Sequence, residues 1–150
     1  ETFLKELGHT DSTGHALLSH SCRSIFYGII KLTLDRAFET KGEWRITIAT
    51  PSVHFGSFYK LLRGMETSMN CTIDFYEIDL NENDWTLDEA SIDEAEFSKC
   101  DLVLCQHLFG VPFDQDKLFE LGKKYDIPIV EDCVQSGSLF GNYKGNYQSD

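Results

Sequence analysis

The chain has no apolar run approaching the ~20 residues that a membrane-spanning helix needs, and no Cys-x-x-Cys pair among its five cysteines. An odd count without metal-type spacing fits free thiols in a reducing compartment, so a cytoplasmic protein is expected. Basic residues are scarce. Lys and Arg number 13 against 25 Asp and Glu, a formal net charge of −12, which excludes a protein that tracks nucleic-acid phosphates. Three phosphate or nucleophile loops are missing: Gly-x-Gly-x-x-Gly, Gly-x-x-x-x-Gly-Lys-Ser/Thr and Gly-x-Ser-x-Gly. Ordinary Rossmann dinucleotide binding, Walker-type phosphate binding and an α/β-hydrolase elbow therefore lack their loops. Internal repeats and low-complexity linkers are missing too. Residues 1–14 carry neither an initiating Met nor an apolar signal core, so the 150 residues are expected to be an internal piece of a longer protein.

What is present is a chain able to fold, with 41% hydrophobic and 25% charged residues. Its length suits one domain or part of a larger one. Acid is concentrated between Glu77 and Asp101, where Lys99 stands alone against it. Such a run reads as a solvated helix and loop face.

Helices and strands alternate along the chain. Residues 24–38 carry apolar positions at helical spacing, with Ser19 or Ser21 placed to cap the start. Residues 45–49 read as a strand closed by Thr50-Pro51. Phe55, Phe58, Tyr59 and Leu62 mark a second helix, with Gly64 placed to end it. Residues 72–78 and 102–106 read as strands. Asp114 or Asp116 opens a helix to Lys124, and residues 127–130 form the next strand. This order predicts an α/β fold, a mostly parallel and continuous sheet with flanking helices.

The most informative stretch is Ile127-Pro128-Ile129-Val130-Glu131-Asp132-Cys133-Val134-Gln135-Ser136. A short β-branched run that ends in acid delivers a carboxylate to the carboxyl edge of a parallel sheet, where α/β proteins bind ligands. Asp132 is the candidate; it also reads as a plain helix N-cap. Ser19 to Ser24 lie at the expected start of the first long helix, where backbone amides and the helix dipole favour a phosphate. Ser21, Ser24 and the Arg23 guanidinium would add donors, although this too reads as a simple cap. Phe55 follows a strand, placed to stack on a planar ring or to join the core. His15, His20 and Cys22 match no zinc spacing, and no metal is expected.

A phosphate turn, a stacking aromatic and a strand-end carboxylate together suit pyridoxal 5'-phosphate. That cofactor withdraws electrons only while its ring nitrogen stays protonated, and a carboxylate beside the nitrogen keeps it so.

Several segments, in order, resemble the DegT-like sugar aminotransferases, pyridoxal phosphate enzymes of fold type I. His107-Leu108-Phe109-Gly110-Val111-Pro112-Phe113-Asp114-Gln115-Asp116 looks like the family's His-Leu-Tyr-Gly-x-Pro-x-Asp-x-Asp. Val130-Glu131-Asp132-Cys133-Val134-Gln135-Ser136-Gly137 is similar to its Ile-Glu-Asp-Ala-Ala-Gln-x-x-Gly. Phe140-Gly141-Asn142-Tyr143-Lys144-Gly145 resembles its Gly-x-x-Tyr-Lys-Gly hairpin, and Pro51-Ser52-Val53-His54-Phe55 falls where the family has Pro-x-x-Thr-Phe or Pro-x-x-Thr-Trp. The resemblance implies that the chain is part of a pyridoxal phosphate-binding large domain. It also implies that Asp132 holds the pyridine nitrogen, Gln135 lies near the phenolic oxygen and Phe55 stacks on the ring.

Ser21, Cys22 and Arg23 fall on the family's Gly-Thr-Ala phosphate turn without an identical residue. Cys22 stands for a hydroxyl and Arg23 for a small side chain. The family's Schiff-base lysine falls beyond Asp150, and Lys144 lies in the hairpin and does not match it. The resemblance further implies a homodimer, with an amino donor, glutamate, and a keto-sugar acceptor, usually nucleotide-linked. A sugar dehydratase shares the fold. Two other readings stay open at this point: a non-catalytic relative kept as a binding module, and a methyltransferase-like domain, which would bring a Gly-rich loop after its first strand.

Overall fold

The computed structural model describes residues 19–108 and 116–135. Helix α1 spans Cys22–Lys41, and Ser21 caps it, its Oγ accepting from the Ser24 amide. Phe26, Ile30, Leu34 and Ala37 form its buried stripe. It runs one turn past residue 38 because the left-handed Gly42, φ 75°, supplies the stop and donates to the Phe38 carbonyl.

Strand β1 is Arg45–Pro51. Helix α2 spans Gly56–Met69, so Gly64 does not end it. The buried Met65 and the core-packed Met69 draw the helix onward. Asn70 closes it in the left-handed conformation, which Asn tolerates better than most residues. Strand β2 is Thr72–Ile78, paired in parallel with β1 from Arg45↔Thr72 to Pro51↔Ile78.

The acidic stretch that follows is mostly exposed and folds as a 3-10 turn, Glu89–Ser91, and the short helix α3, Glu94–Phe97. Two of its acids are structural: Asp88 caps the turn and Asp93 caps α3. Asp101 departs from the solvated reading, since it accepts from the Thr47 amide at 3.0 Å and pairs with Lys41.

Strand β3, Leu102–Gln106, is buried throughout. Helix α4 spans Asp116–Tyr125, while Asp114 lies outside the described residues. Strand β4 is Ile129–Asp132, two residues later than the apolar run suggests. The left-handed Asp126 turns the chain, and the Ile127 amide closes that turn on the Gly122 carbonyl. Pro128 has no amide to give, so pairing with β3 begins at its carbonyl, which accepts from the Val103 amide.

The four strands form one parallel sheet in the order β2-β1-β3-β4. Alternation sends Ile46, Ile48, Leu102 and Leu104 to one core, with α1 and α2. It sends Ala49, Val103 and Cys105 to the other, with α4 and Phe97. The chain leaves β1 toward β2 on one side and returns to β3 on the other, which opens a crevice at the carboxyl ends of β1 and β3. Among the described residues no helix is long and apolar enough to cross a membrane.

Candidate active site

A cavity of about 760 Å³ lies at that crevice. It is lined by all six sequence candidates: Ser21, Cys22, Arg23, Phe55, Asp132 and Gln135. Its size falls in the range of ordinary small-molecule sites.

Asp132 reaches the cavity because β4 runs to the last rung of the ladder, where it registers with Gln106. Its Oδ2 accepts from Gln106 Nε2 at 3.0 Å, and its Oδ1 from the Val134 amide at 3.1 Å. The second bond is the local turn that the cap reading anticipates, made with one oxygen only. Phe55 stands at the start of α2, 53% exposed. An aromatic left open beside a cavity offers a face to a planar ligand. His54 turns elsewhere and stacks with Tyr59 and Phe75, ring centroids 5.7 and 6.1 Å away.

The first turn of α1 borders the same space. Ser21 takes up the amides of Ser24 and Ile25. The first amides of a helix, here Cys22 and Arg23, have no acceptor within it. Ser21 is therefore the cap that the plain reading proposes, and its hydroxyl, 2.9 Å from that of Ser24, still borders the cavity. Burial and the negative charge of Asp132 push the Cys22 thiol above its ordinary pKa, so it stays protonated near neutrality.

Two residues near the cavity were not named as site candidates from sequence, although His107 opens one of the family-like motifs. Gln106 is 2% exposed, and its Oε1 accepts from the Phe55 amide at 2.9 Å. A glutamine that ends an otherwise apolar buried strand is a visible signal, because a buried carboxamide needs partners. His107 is 1% exposed, and its Nε2 lies 3.1 Å from Glu131 Oε1. His107, Glu131 and Cys133 bring donor atoms within 4.8 Å of one another. The histidine–carboxylate hydrogen bond accounts for two of the three. His15 and Lys144 lie outside the described residues.

The parallel sheet, with helices packed on both faces and a cavity at its switch point, is an α/β domain. In keeping with that fold, a sphingosine-1-phosphate lyase of Burkholderia pseudomallei K96243 superposes with a TM-score of 0.52 at 14% identity. The match covers 75% of this chain and 25% of that one. An aminotransferase of Neisseria meningitidis Z2491 gives 0.49 at 21% identity, over 73% of this chain and 26% of that one.

The chain belongs to the DegT/DnrJ/EryC1/StrS aminotransferase family, whose model matches residues 65–147. GDP-perosamine synthase of Escherichia coli O157:H7 is 31% identical over 71 residues, covering 47% of this chain. The chain spans 19% of the length of that curated relative.

Proposed function

We propose that the protein to which this domain belongs is a pyridoxal phosphate-dependent aminotransferase, with glutamate as amino donor and a keto-sugar, usually nucleotide-linked, as acceptor. The observation that carries the reading is the convergence of Asp132, Phe55 and the first turn of α1 on one cavity at the switch point. Membership of the aminotransferase family and the likeness to a GDP-perosamine synthase support amino transfer to a sugar.

The cavity fits the cofactor chemically as well. A half-buried carboxylate with two hydrogen-bonded oxygens stabilises a cationic ring nitrogen better than a freely solvated one does. An exposed phenylalanine offers a stacking face, and a long helix presents its amino end to an anion.

When bound, pyridoxal phosphate supplies an electron sink for the carbon that loses or gains a proton. Asp132 keeps the proton on the ring nitrogen. Phe55 covers one ring face and excludes water from it. Ser21 and the first amides of α1 hold the phosphate, with the Arg23 guanidinium as a charged donor and the Cys22 thiol as a weak neutral one. Gln135, which also lines the cavity, would bond the phenolic oxygen, as the family resemblance implies. A lysine that bonds the cofactor and moves the substrate proton would complete the site, and the family pattern puts it after the Asp132 motif in sequence. By the same family analogy the working unit is a cytoplasmic homodimer, and residues 1–150 are part of its large domain.

Expression of the full-length protein tests this directly. The expected result is a yellow, borohydride-sensitive chromophore and amino transfer from glutamate to a keto-sugar nucleotide. A colourless protein that binds a sugar nucleotide without turnover would leave a binding module of the same fold. A yellow protein that removes water from the sugar without consuming glutamate would make it a dehydratase.

A further inference from the structure

We infer that Gln106 is the positioning residue of this site: one buried carboxamide fixes both the carboxylate meant for the ring nitrogen and the backbone that carries the stacking aromatic. The inference rests on the pyridoxal phosphate reading.

Phe55 follows β1 and Asp132 ends β4, and these strands are not neighbours, because β3 runs between them. Gln106 ends β3 and reaches both sides. The Phe55 amide donates to Oε1 at 2.9 Å, and Nε2 donates to Asp132 Oδ2 at 3.0 Å. The orientation of the carboxamide follows from its partners, since a backbone N–H requires the oxygen and an ionised carboxylate requires the nitrogen. Phe55 makes no side-chain cap at the start of α2, so the bond from its amide to Gln106 ties that end of the helix to the sheet. On the other side, Gln106 and the Val134 amide each take one Asp132 oxygen, leaving each oxygen a further lone pair for a donor in the cavity. A carboxylate held in this way cannot turn to suit another partner, and its distance to the stacking ring is fixed through a single side chain.

The test uses the full-length protein and pyridoxamine 5'-phosphate, with the variants Gln106→Met, Gln106→Glu and Asp132→Asn. Equilibrium titration gives affinity, and nitrogen NMR of ring-labelled cofactor gives protonation of the ring nitrogen. Gln106→Met should bind about tenfold more weakly, the loss of a hydrogen bond to a charged group. It should also shift the bound ring toward its unprotonated form, because the Asp132 anion loses a donor.

In Gln106→Glu the introduced carboxyl donates only while protonated. Its affinity should approach that of the wild type at low pH and fall as pH rises through its own titration. Among the described residues, the ionisable groups that border the same cavity are Asp132 on β4, Cys22, Arg23 and Tyr27 on α1, and His107, which bonds Glu131. The wild type, titrated in parallel, accounts for these and for the cofactor phosphate. A residue that only fills space gives no such difference in pH profile. If both Gln106 variants bind and titrate as the wild type while Asp132→Asn binds weakly, the positioning role is overturned and the cofactor reading stands. If Asp132→Asn also matches the wild type, both fail. Should Gln106→Met not fold, the pH profile of Gln106→Glu decides alone.

Discussion

At the end of β4 two adjacent carboxylates serve opposite faces of the sheet. Glu131 registers with Cys105, on the side packed by α4, and bonds the buried His107 at 3.1 Å. Asp132 registers with Gln106, on the side of α1 and α2, and borders the cavity. Both are half-buried acids, one residue apart. What separates them is strand parity, since successive side chains point to opposite faces. A slip of one residue in the β3–β4 register would exchange their places. Acid at a strand end thus marks the region of a site, and the ladder selects which acid serves it.

The strongest way to sharpen this division is Asp132→Asn. Amino transfer in the full-length protein should fall about 10²–10³-fold while the melting temperature stays near that of the wild type; steady-state kinetics and a thermal scan give both. Glu131→Ala should do the reverse. It removes the Glu131 bond to the buried His107, at a cost of about 1–3 kcal/mol, and cofactor affinity should fall far less than in Asp132→Asn, although His107 borders the cavity. Urea unfolding and a cofactor titration report the two quantities, and a folded Glu131→Ala protein that cannot bind cofactor would break the division between the faces.

Ser21→Ala reaches the cavity from the helix side. Loss of the cap should cost about 1 kcal/mol in urea unfolding, and titration should show weaker binding of pyridoxal 5'-phosphate while pyridoxal, which lacks the phosphate, binds as to the wild type.

The smallest effect concerns a carboxylate remote from both. Burial works against the Glu66 anion, but its bonds to the Ile73 amide and to Arg63 outweigh that and hold its pKa below the ordinary carboxylate value. The stability it contributes is therefore complete above the unfolded pKa, about 4.3, and is lost as pH falls through the folded one. Glu66→Gln should flatten the acid limb of a stability profile without touching cofactor binding.

Much of this was legible in the sequence, and the reasons for the rest are local. Apolar runs gave the strands, and spacing gave the helices, because one period maps to one buried face. Asp132 stood out as the acid that ends such a run, within a family motif. Sequence alone does not distinguish its face from that of Glu131, since parity counts only once the register is set. Gly64 misled because the burial of Met65 and Met69 outweighs the cost of a helical glycine. The start of β4 shifted because Asp126 and Pro128 dictate backbone geometry that hydrophobicity does not register. The links from Gln106 to Phe55 and Asp132 span 51 and 26 residues. No local pattern encodes such links, although a polar residue at the end of a buried strand signals that partners exist.

The most direct test of the central claim is a crystal structure of the full-length protein with pyridoxal 5'-phosphate. The predicted result has the Asp132 carboxylate about 2.7–2.9 Å from the ring nitrogen, Phe55 over the ring and the phosphate at the first turn of α1. A cofactor bound outside the β1–β3 crevice, or a ring nitrogen held by another group, would contradict it.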